Sequence, residues 1–288
     1  MDADTQPRWR EMTAAEREDA YSPSTMVGGD LGRFIASYAE QSRAAYATCP
    51  DLQTLHYGQA ETQTLDLVVP QGAGPHPLHV FVHGGYWQAL SKKESFFAAP
   101  GTLAQGIAFS AVDYTLAPGA ALGEIVDEVI SAIRFLIMQS DAYGLDPTRV
   151  VISGSSAGAH LAAMATLRLG ASERPAGLML LSGIYDLRPL VGTYINDAIG
   201  MDDKSAAALS PALCDLSGFP PSVVAWGDNE TDEFKRQSLH FAELLQQAGC
   251  ATDTREVAGR NHFDIVHDIA SDSALGGWLA RLARPKEH

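Results

Sequence analysis

Short apolar runs alternate with amphipathic stretches along most of the chain. Seven runs are rich in apolar or β-branched residues, and most end in Gly, Asp or Pro: QTLDLVVP, LHVFVHG, IAFSAVDY, RVVISGS, GLMLLSG, SVVAWGD and TDTREVAG. These runs predict β-strands. Between them lie stretches such as LGEIVDEVISAIRFLIMQS, whose apolar residues recur at helical spacing. The alternation predicts an α/β fold with a mostly parallel central sheet and helices on both faces.

The length and hydrophobic content favour one large domain. The chain has 288 residues, 46% of them hydrophobic, which is enough to bury a substantial core. We expect a single domain over residues 1–288 with an N-terminal helical segment at 1–50. The segment 186–220 is longer than a simple connection, so we expect it to be a lid insertion that covers the functional site together with the N-terminal helices.

Charge and cysteine content narrow the possible partners. A net charge of -15 argues against binding to nucleic acid or to an anionic membrane, because no basic stripe is present to neutralise phosphates. Cys49, Cys214 and Cys250 are far apart in the sequence and predict neither a disulfide framework nor a zinc site. The polar N-terminus and the absence of a membrane-length apolar run lead us to expect a cytoplasmic protein that acts on a small molecule.

The segment VVISGSSAGAHLAAMATL carries the most informative motif. An apolar strand over 149–153 leads into the turn 154–158, and an Ala-rich helix follows from about Ala159. This is G-x-S-x-G in a strand–turn–helix context, the nucleophile elbow of α/β-hydrolases. The pattern predicts Ser156 as the nucleophile. Ser155 is off the central position of the motif.

A serine nucleophile needs a general base, which in this fold lies downstream in the chain. His262 falls in AGRNHFDIV, a loop directly after the last predicted strand, and is the predicted base. His267 lies about one helical turn further on and is the alternative. His160 and His240 lie on predicted helices, and we expect structural roles for both.

The acid that orients the base is expected in DNETDEFKRQS, after the strand SVVAWG. Thr231 resembles a helix N-cap, which would place Asp232 and Glu233 in the first turn of a helix, where carboxylates favour the helix dipole. Asp228 and Glu230 remain in the loop. The residues alone do not separate these two candidates.

The stretch HGGYW follows a predicted buried strand. A tetrahedral oxyanion needs fixed backbone N–H donors, and an H-G-G run after the third strand is where this fold places them. We therefore expect Gly84, Gly85 and Ala157 to form the oxyanion hole. Tyr86 and Trp87 are predicted to wall the substrate pocket, or alternatively to anchor the loop.

Taken together, HGGYWQALSKKESF, GSSAGAHLAAM, SGIYDLRPLV, DEFKRQSLHF and NHFDIV resemble the kynurenine formamidase (arylformamidase) family of α/β-hydrolases, and the resemblance covers nearly the whole chain. It implies a serine hydrolase that cleaves N-formyl-L-kynurenine, or a similar aryl formamide, to amine and formate through an acyl-enzyme, without metal or cofactor. The family's acid precedes an E-F pair by three residues, which here matches Glu230. The residue expected there is commonly aspartate, and Ser155 stands where the animal enzymes are expected to have histidine.

Four further expectations remain open. A broad carboxylesterase of the hormone-sensitive lipase type shares H-G-G and the elbow, but that group usually has a third glycine where Tyr86 stands and an Asp where Ser155 stands. A catalytically inactive hydrolase fold that serves as a ligand receptor or interaction module is a further alternative. The presence of both Ser156 and His262 argues against it. Arg260 is a candidate partner for a substrate carboxylate, and a homodimer is compatible with a hydrolase of this size.

Overall fold

The computed structural model describes residues 8–284, and its centre is one eight-stranded sheet. The strands are β1 (Gln53–His56), β2 (Thr64–Val68), β3 (His76–Val82), β4 (Ala108–Val112), β5 (Leu145–Ser155), β6 (Gly177–Leu181), β7 (Ser222–Asn229) and β8 (Thr252–Asn261). Their order in the sheet is β1-β2-β4-β3-β5-β6-β7-β8. The pairs β1–β2 and β2–β4 are antiparallel, and the six strands β3 to β8 are parallel to one another. The predicted mostly parallel α/β-hydrolase sheet is confirmed.

Nine α-helices are present within residues 8–284, most of them between strands. They are α1 (Ala14–Ala20), α2 (Gly32–Thr48), α3 (Ala99–Ala104), α4 (Leu122–Met138), α5 (Ser140–Tyr143), α6 (Ala157–Arg168), α7 (Asp203–Ala208), α8 (Asp232–Gln247) and α9 (Ala274–Leu282). Short 3₁₀ turns, including Lys92–Glu94, complete the connections. None of the helices in this part of the chain has the length and apolarity needed to span a bilayer.

Buried apolar side chains form two core clusters, one on each face of the sheet. On β3, Val80 and Val82 belong to the cluster that packs against α4, α6 and α8, whereas Phe81 belongs to the cluster with α2, α3 and α9. Successive side chains of a strand point to opposite faces, so a strand buried on both faces is apolar throughout. This explains why β3 to β7 are evident in the sequence as continuous apolar runs.

Strand β1 is absent from the sequence prediction. Its four residues, Gln53–His56, are mostly exposed, and it forms the edge of the sheet. An edge strand has only one paired neighbour and needs little apolar surface, so no alternating pattern marks it.

The N-terminal segment crosses the carboxyl-end edge of the sheet and is fixed by side-chain contacts. Of the expected segment 1–50, residues 1–7 lie outside the described residues. Tyr21 is fully buried, and its hydroxyl donates to Glu233 Oε2 on α8 (3.1 Å) while it accepts from Gln237 Nε2 (3.0 Å). Arg17 donates to the carbonyl of Val191 (3.2 Å), which connects this segment to the expected lid region.

Candidate active site

Ser156 occupies a strained turn between β5 and α6. Its φ of 56° and ψ of -120° lie in a region that non-glycine residues rarely adopt. A Cβ on Gly154 would lie 2.3 Å from the backbone of Gly158, and one on Gly158 would lie 2.1 Å from the Val82 carbonyl oxygen. Both glycines are therefore required by close backbone approach, and the Ser156 amide is fixed by donating to the Leu181 carbonyl (2.8 Å). This is the geometry of the nucleophile elbow.

Glu230 and His262 form a buried pair at the ends of β7 and β8. The Nδ1 atom of His262 lies 2.9 Å from Oε2 of Glu230, and the two residues are 4% and 2% exposed. The other carboxylate oxygen, Oε1, accepts from Ser182 Oγ and from the Gly227 amide, both at 2.6 Å. These donors hold the carboxylate toward the imidazole, which leaves Nε2 of His262 as the ring nitrogen free to act on a nucleophile.

The other candidate acid is placed elsewhere. Asp228 is exposed at the end of β7, and its carboxylate accepts from the Gly259 amide (2.9 Å) rather than from a histidine. Asp232 is also exposed, whereas Glu233 is buried in an ion pair with Arg236 (2.5 Å). Of the four carboxylates in this segment, only Glu230 contacts His262.

His160 and His267 do not line the cavity that contains Ser156. His160 is fully buried on α6, where Trp87 Nε1 donates to its Nδ1 (3.2 Å) and its Nε2 lies 2.7 Å from the Leu209 carbonyl oxygen. Burial lowers the pKa of His160 to about 4, so it remains neutral, as a packing residue should. His267 packs edge-on against Tyr38 and Phe97 and does not line the cavity that contains Ser156.

Gly84 and Gly85 lie just past β3, beside the nucleophile. A Cβ on Gly84 would be 2.7 Å from the Ser155 carbonyl oxygen and 3.4 Å from the Ser156 Cβ. Gly85 has a φ of 91°, and a Cβ there would be 2.4 Å from the Ala89 carbonyl oxygen. Ala157 is the first residue of α6, where amides have no partner within the helix. Gly84 and Gly85 thus line the same cavity as Ser156, and Ala157 directly follows Ser156 in the chain.

The two aromatic residues of HGGYW have different positions. Tyr86 lines the cavity, and its hydroxyl donates to the Tyr21 carbonyl. Trp87 is fully buried, hydrogen-bonded to His160, and does not line the cavity. The expectation that Trp87 walls the pocket is therefore wrong. Its indole instead anchors the loop to α6 through the hydrogen bond to His160, and its backbone has a φ of 60°.

Ser156 and His262 share a cavity of about 230 Å³. No hydrogen bond joins Ser156 Oγ to His262 in the structure as described from residue 8 to 284, and contacts between nucleophile and base are often long without substrate. The cavity wall opposite the sheet comes from the N-terminal segment, notably Pro23, Leu31, Ile35 and Tyr38. From the expected lid at 186–220, only Tyr194 reaches the cavity, and apolar residues of that segment such as Leu190 and Ile199 are packed into the core instead.

Arg260 does not contribute to the cavity. Its guanidinium forms two hydrogen bonds to Asp268, at 2.8 and 2.6 Å, and this pairing raises the pKa of Arg260. It is also absent from the cavity lining. The proposed contact between Arg260 and a substrate carboxylate is not supported by this arrangement.

Two site residues were missed by sequence reasoning. Ser182 holds the Glu230 carboxylate and has a positive φ of 47°, and its position directly after a buried strand was the available signal. Glu94 lines the cavity next to the HGGYW loop, but no pattern distinguishes it from other surface carboxylates. The residues from 8 to 284 contain no cluster of three or more His, Cys, Asp or Glu that could hold a metal ion.

These features define the class of protein. Residues 79–265 match the family model for the alpha/beta hydrolase fold. A protein from Silicibacter sp. TM1040, whose crystal structure carries a provisional thioesterase assignment, superposes with a TM-score of 0.82 at 27% identity, covering 91% of this chain and 98% of that one. The chain is an α/β-hydrolase, with a nucleophile elbow at the carboxyl ends of its parallel strands.

The particular family follows from closer relatives. The kynurenine formamidase of Danio rerio is 32% identical over 93% of this chain and 95% of its own length. A carboxylesterase of Mycobacterium tuberculosis is 30% identical over 72% of this chain and 73% of its own length. The chain belongs to the kynurenine formamidase family of α/β-hydrolases, and it is a hydrolase.

Proposed function

We propose that this enzyme is a serine hydrolase that cleaves N-formyl-L-kynurenine, or a closely similar aryl formamide, through a formyl-enzyme. The proposal rests mainly on one observation. His262, which is paired with the buried Glu230, lines the same cavity as the elbow residue Ser156. A histidine whose Nδ1 is held by a carboxylate presents Nε2 to a nucleophile in the correct tautomer. The similarity to kynurenine formamidases along nearly the whole chain supports the choice of acyl group.

The proposed reaction has two steps. Ser156 Oγ attacks the formyl carbon while His262 accepts its proton, and the amides of Gly84, Gly85 and Ala157 stabilise the oxyanion. His262 then protonates the aryl amine as the C–N bond breaks, which releases the amine and leaves a formyl ester on Ser156. Water, deprotonated by His262, attacks this ester and releases formate, and the proton returns to Ser156.

The glutamate at position 230 fits this role in spite of its extra methylene. The carboxylate accepts three hydrogen bonds, from Ser182, Gly227 and His262, so its position is determined by its surroundings rather than by side-chain length. A carboxylate held in this way can orient the imidazole and stabilise the imidazolium that forms during catalysis.

A broad carboxylesterase activity is the second candidate. The cavity lining is mainly apolar, with Phe81, Leu90, Phe97 and Val266 among its members. Such a surface accepts many small esters, and a carboxylesterase is among the relatives. The two candidates share the same triad and differ only in the preferred acyl and leaving groups.

The discriminating experiment compares kcat/KM for N-formyl-L-kynurenine and p-nitrophenyl acetate with the same enzyme preparation. The formamidase proposal predicts a clear preference for the formamide, in spite of the greater intrinsic reactivity of the activated ester. Loss of both activities in Ser156→Ala is the control for a contaminating hydrolase. Preference for the ester, with little or no turnover of the formamide, would retain the triad and replace the substrate.

A further inference from the structure

The active-site cavity carries an uneven charge distribution. Glu94 is the one Asp or Glu among the described residues that line it, and no Lys or Arg belongs to that lining. Arg260, which precedes His262 by two residues, is bound to Asp268 and is outside the lining. With a net charge of -15 on the whole chain, both the local and the long-range field disfavour an anion and favour a cation.

Glu94 is held in place but its charge is not neutralised. Ser91 Oγ donates to its Oε2 (2.7 Å), which fixes the side chain at the end of the 3₁₀ turn Lys92–Glu94. The adjacent Lys92 is buried and turned away, with its Nζ 3.1 Å from Asp66 and 2.8 Å from Thr64. No salt bridge of Glu94 is present between residues 8 and 284, and its Oε1 accepts no hydrogen bond there.

The field of this carboxylate reaches the catalytic loop. Burial lowers the pKa of His83 to about 4, and the charge of Glu94 acts on it in the opposite direction. His83 directly precedes the two oxyanion glycines and also lines the cavity. Glu94, His83 and Ser156 thus line one cavity, the space in which the proposed reaction would place the scissile group and its leaving amine.

We propose that Glu94 forms a recognition subsite for a primary ammonium group carried by the substrate on the leaving-group side. The identity of that leaving group rests on the proposed function, because an aryl amine with an amino-acid side chain presents an α-ammonium. Glu94 Oε1 accepts a charge-assisted hydrogen bond from this group. The substrate carboxylate meets no cation in the described cavity lining, so selection is for positive charge and not for the amino-acid zwitterion as such.

The test uses inhibition of p-nitrophenyl acetate hydrolysis by product-like amines that share the 2-aminobenzoyl group. Kynurenamine carries an ammonium, 2-aminoacetophenone is neutral, and 4-(2-aminophenyl)-4-oxobutanoate is anionic. In the wild type the inhibition constant should be about tenfold lower for kynurenamine than for the neutral compound. The anion should bind more weakly than the neutral compound. Equal inhibition by cation and neutral compound in the wild type alone would overturn the proposal.

The variant Glu94→Gln keeps the shape and the hydrogen bond from Ser91 but removes the charge. The ratio of the two inhibition constants should fall close to one, and because it is a ratio within one variant, changes in overall activity cancel. Ser91→Ala is the matched control: it removes the bond that holds Glu94 yet keeps the charge, and it should retain most of the preference. An unchanged ratio in Glu94→Gln contradicts the subsite.

This readout is independent of formamide turnover. If N-formyl-L-kynurenine is not hydrolysed but the cation preference is present and lost in Glu94→Gln, the subsite stands and the formamidase proposal fails. If the formamide is hydrolysed and the wild type does not distinguish cation from neutral amine, the proposed function stands and the subsite fails.

Discussion

The two walls of the active-site cavity are built from different parts of the chain. The catalytic wall consists of residues at the ends of β3, β5 and β8, where backbone contacts leave no room for a side chain on Gly84 or Gly158. The opposite wall consists of the N-terminal segment around Ile35, which lies outside the sheet and is fastened by hydrogen bonds such as that of Tyr21 to Glu233. We therefore expect the chemistry to depend on the sheet, and the fit of the apolar part of the substrate to depend on the separately attached N-terminal segment.

Because the two walls come from different parts of the chain, we expect substitutions in them to change different kinetic constants. Substitutions in the catalytic wall should lower kcat for every substrate, because all substrates share the same nucleophile and oxyanion donors. Substitutions in the N-terminal wall should alter KM, to an extent that depends on the size of the leaving group.

The largest effect is expected at the triad acid. Glu230→Gln removes the charge that orients and stabilises His262, and we expect kcat to fall by about 10³–10⁴-fold. Asp228→Asn is the matched control, because Asp228 is exposed and bonded to the Gly259 amide, and it should retain near-normal kcat. Steady-state kinetics on the formamide and on the ester measure both. A large loss in Asp228→Asn with a small one in Glu230→Gln would reverse the assignment.

A smaller loss is expected at the oxyanion loop. In Gly84→Ala the new methyl lies against the Ser155 carbonyl oxygen, 2.7 Å away, so the loop must shift and a donor is displaced. We expect kcat to fall by about 10²-fold with both substrates. Gly123→Ala adds the same methyl on α4, where nothing lies within 4 Å, and should leave kcat unchanged. Equal kinetics for the two variants would argue against Gly84 as part of the oxyanion hole.

The N-terminal wall should respond differently. Ile35→Ala removes apolar surface from the cavity, so KM for N-formyl-L-kynurenine should rise by about three- to tenfold with kcat little changed. The change for p-nitrophenyl acetate should be smaller, because its leaving group buries less surface. Met26→Ala, an exposed position on the same segment outside the cavity lining, is the control. A fall in kcat for both substrates in Ile35→Ala would show that the two walls are not separable.

The smallest effect on activity is expected at Trp87. Trp87→Phe removes the donor to His160 Nδ1, a buried acceptor, and should lower the free energy of unfolding by about 1–3 kcal/mol. Because the indole does not line the cavity, KM for the formamide and for the ester should change little. Urea unfolding and the two KM values provide the measurements. A selective rise in KM for the formamide would show instead that Trp87 contributes to substrate binding.

The catalytic wall was the more predictable from sequence. The elbow and the H-G-G loop are local motifs in which small residues are required by backbone contacts, so Ser156 and Gly84 are visible in the sequence itself. The triad acid was less predictable. The sequence of the loop did not distinguish Asp228 from Glu230, and only the resemblance to the kynurenine formamidase family favoured Glu230. The structure separates them because Ser182 and Gly227 hold the carboxylate of Glu230 toward His262.

Features that depend on long-range packing were not predictable. Trp87 is adjacent in sequence to Tyr86, which lines the cavity, yet its indole is fully buried in the core and bonded to His160. The segment 186–220 was expected to cover the site, but only Tyr194 reaches the cavity. Glu94 resembles any surface carboxylate until the fold places it beside His83. None of these outcomes has a local sequence signal, because each is decided by distant elements that pack against the residue.

The role of Ser156 as nucleophile is tested by labelling the enzyme with a fluorophosphonate and mapping the modified residue by peptide mass spectrometry. We expect one adduct per chain on Ser156, normal labelling of Ser155→Ala, no labelling of Ser156→Ala, and protection by L-kynurenine. Labelling that occurs on Ser155, or that persists in Ser156→Ala, would contradict it.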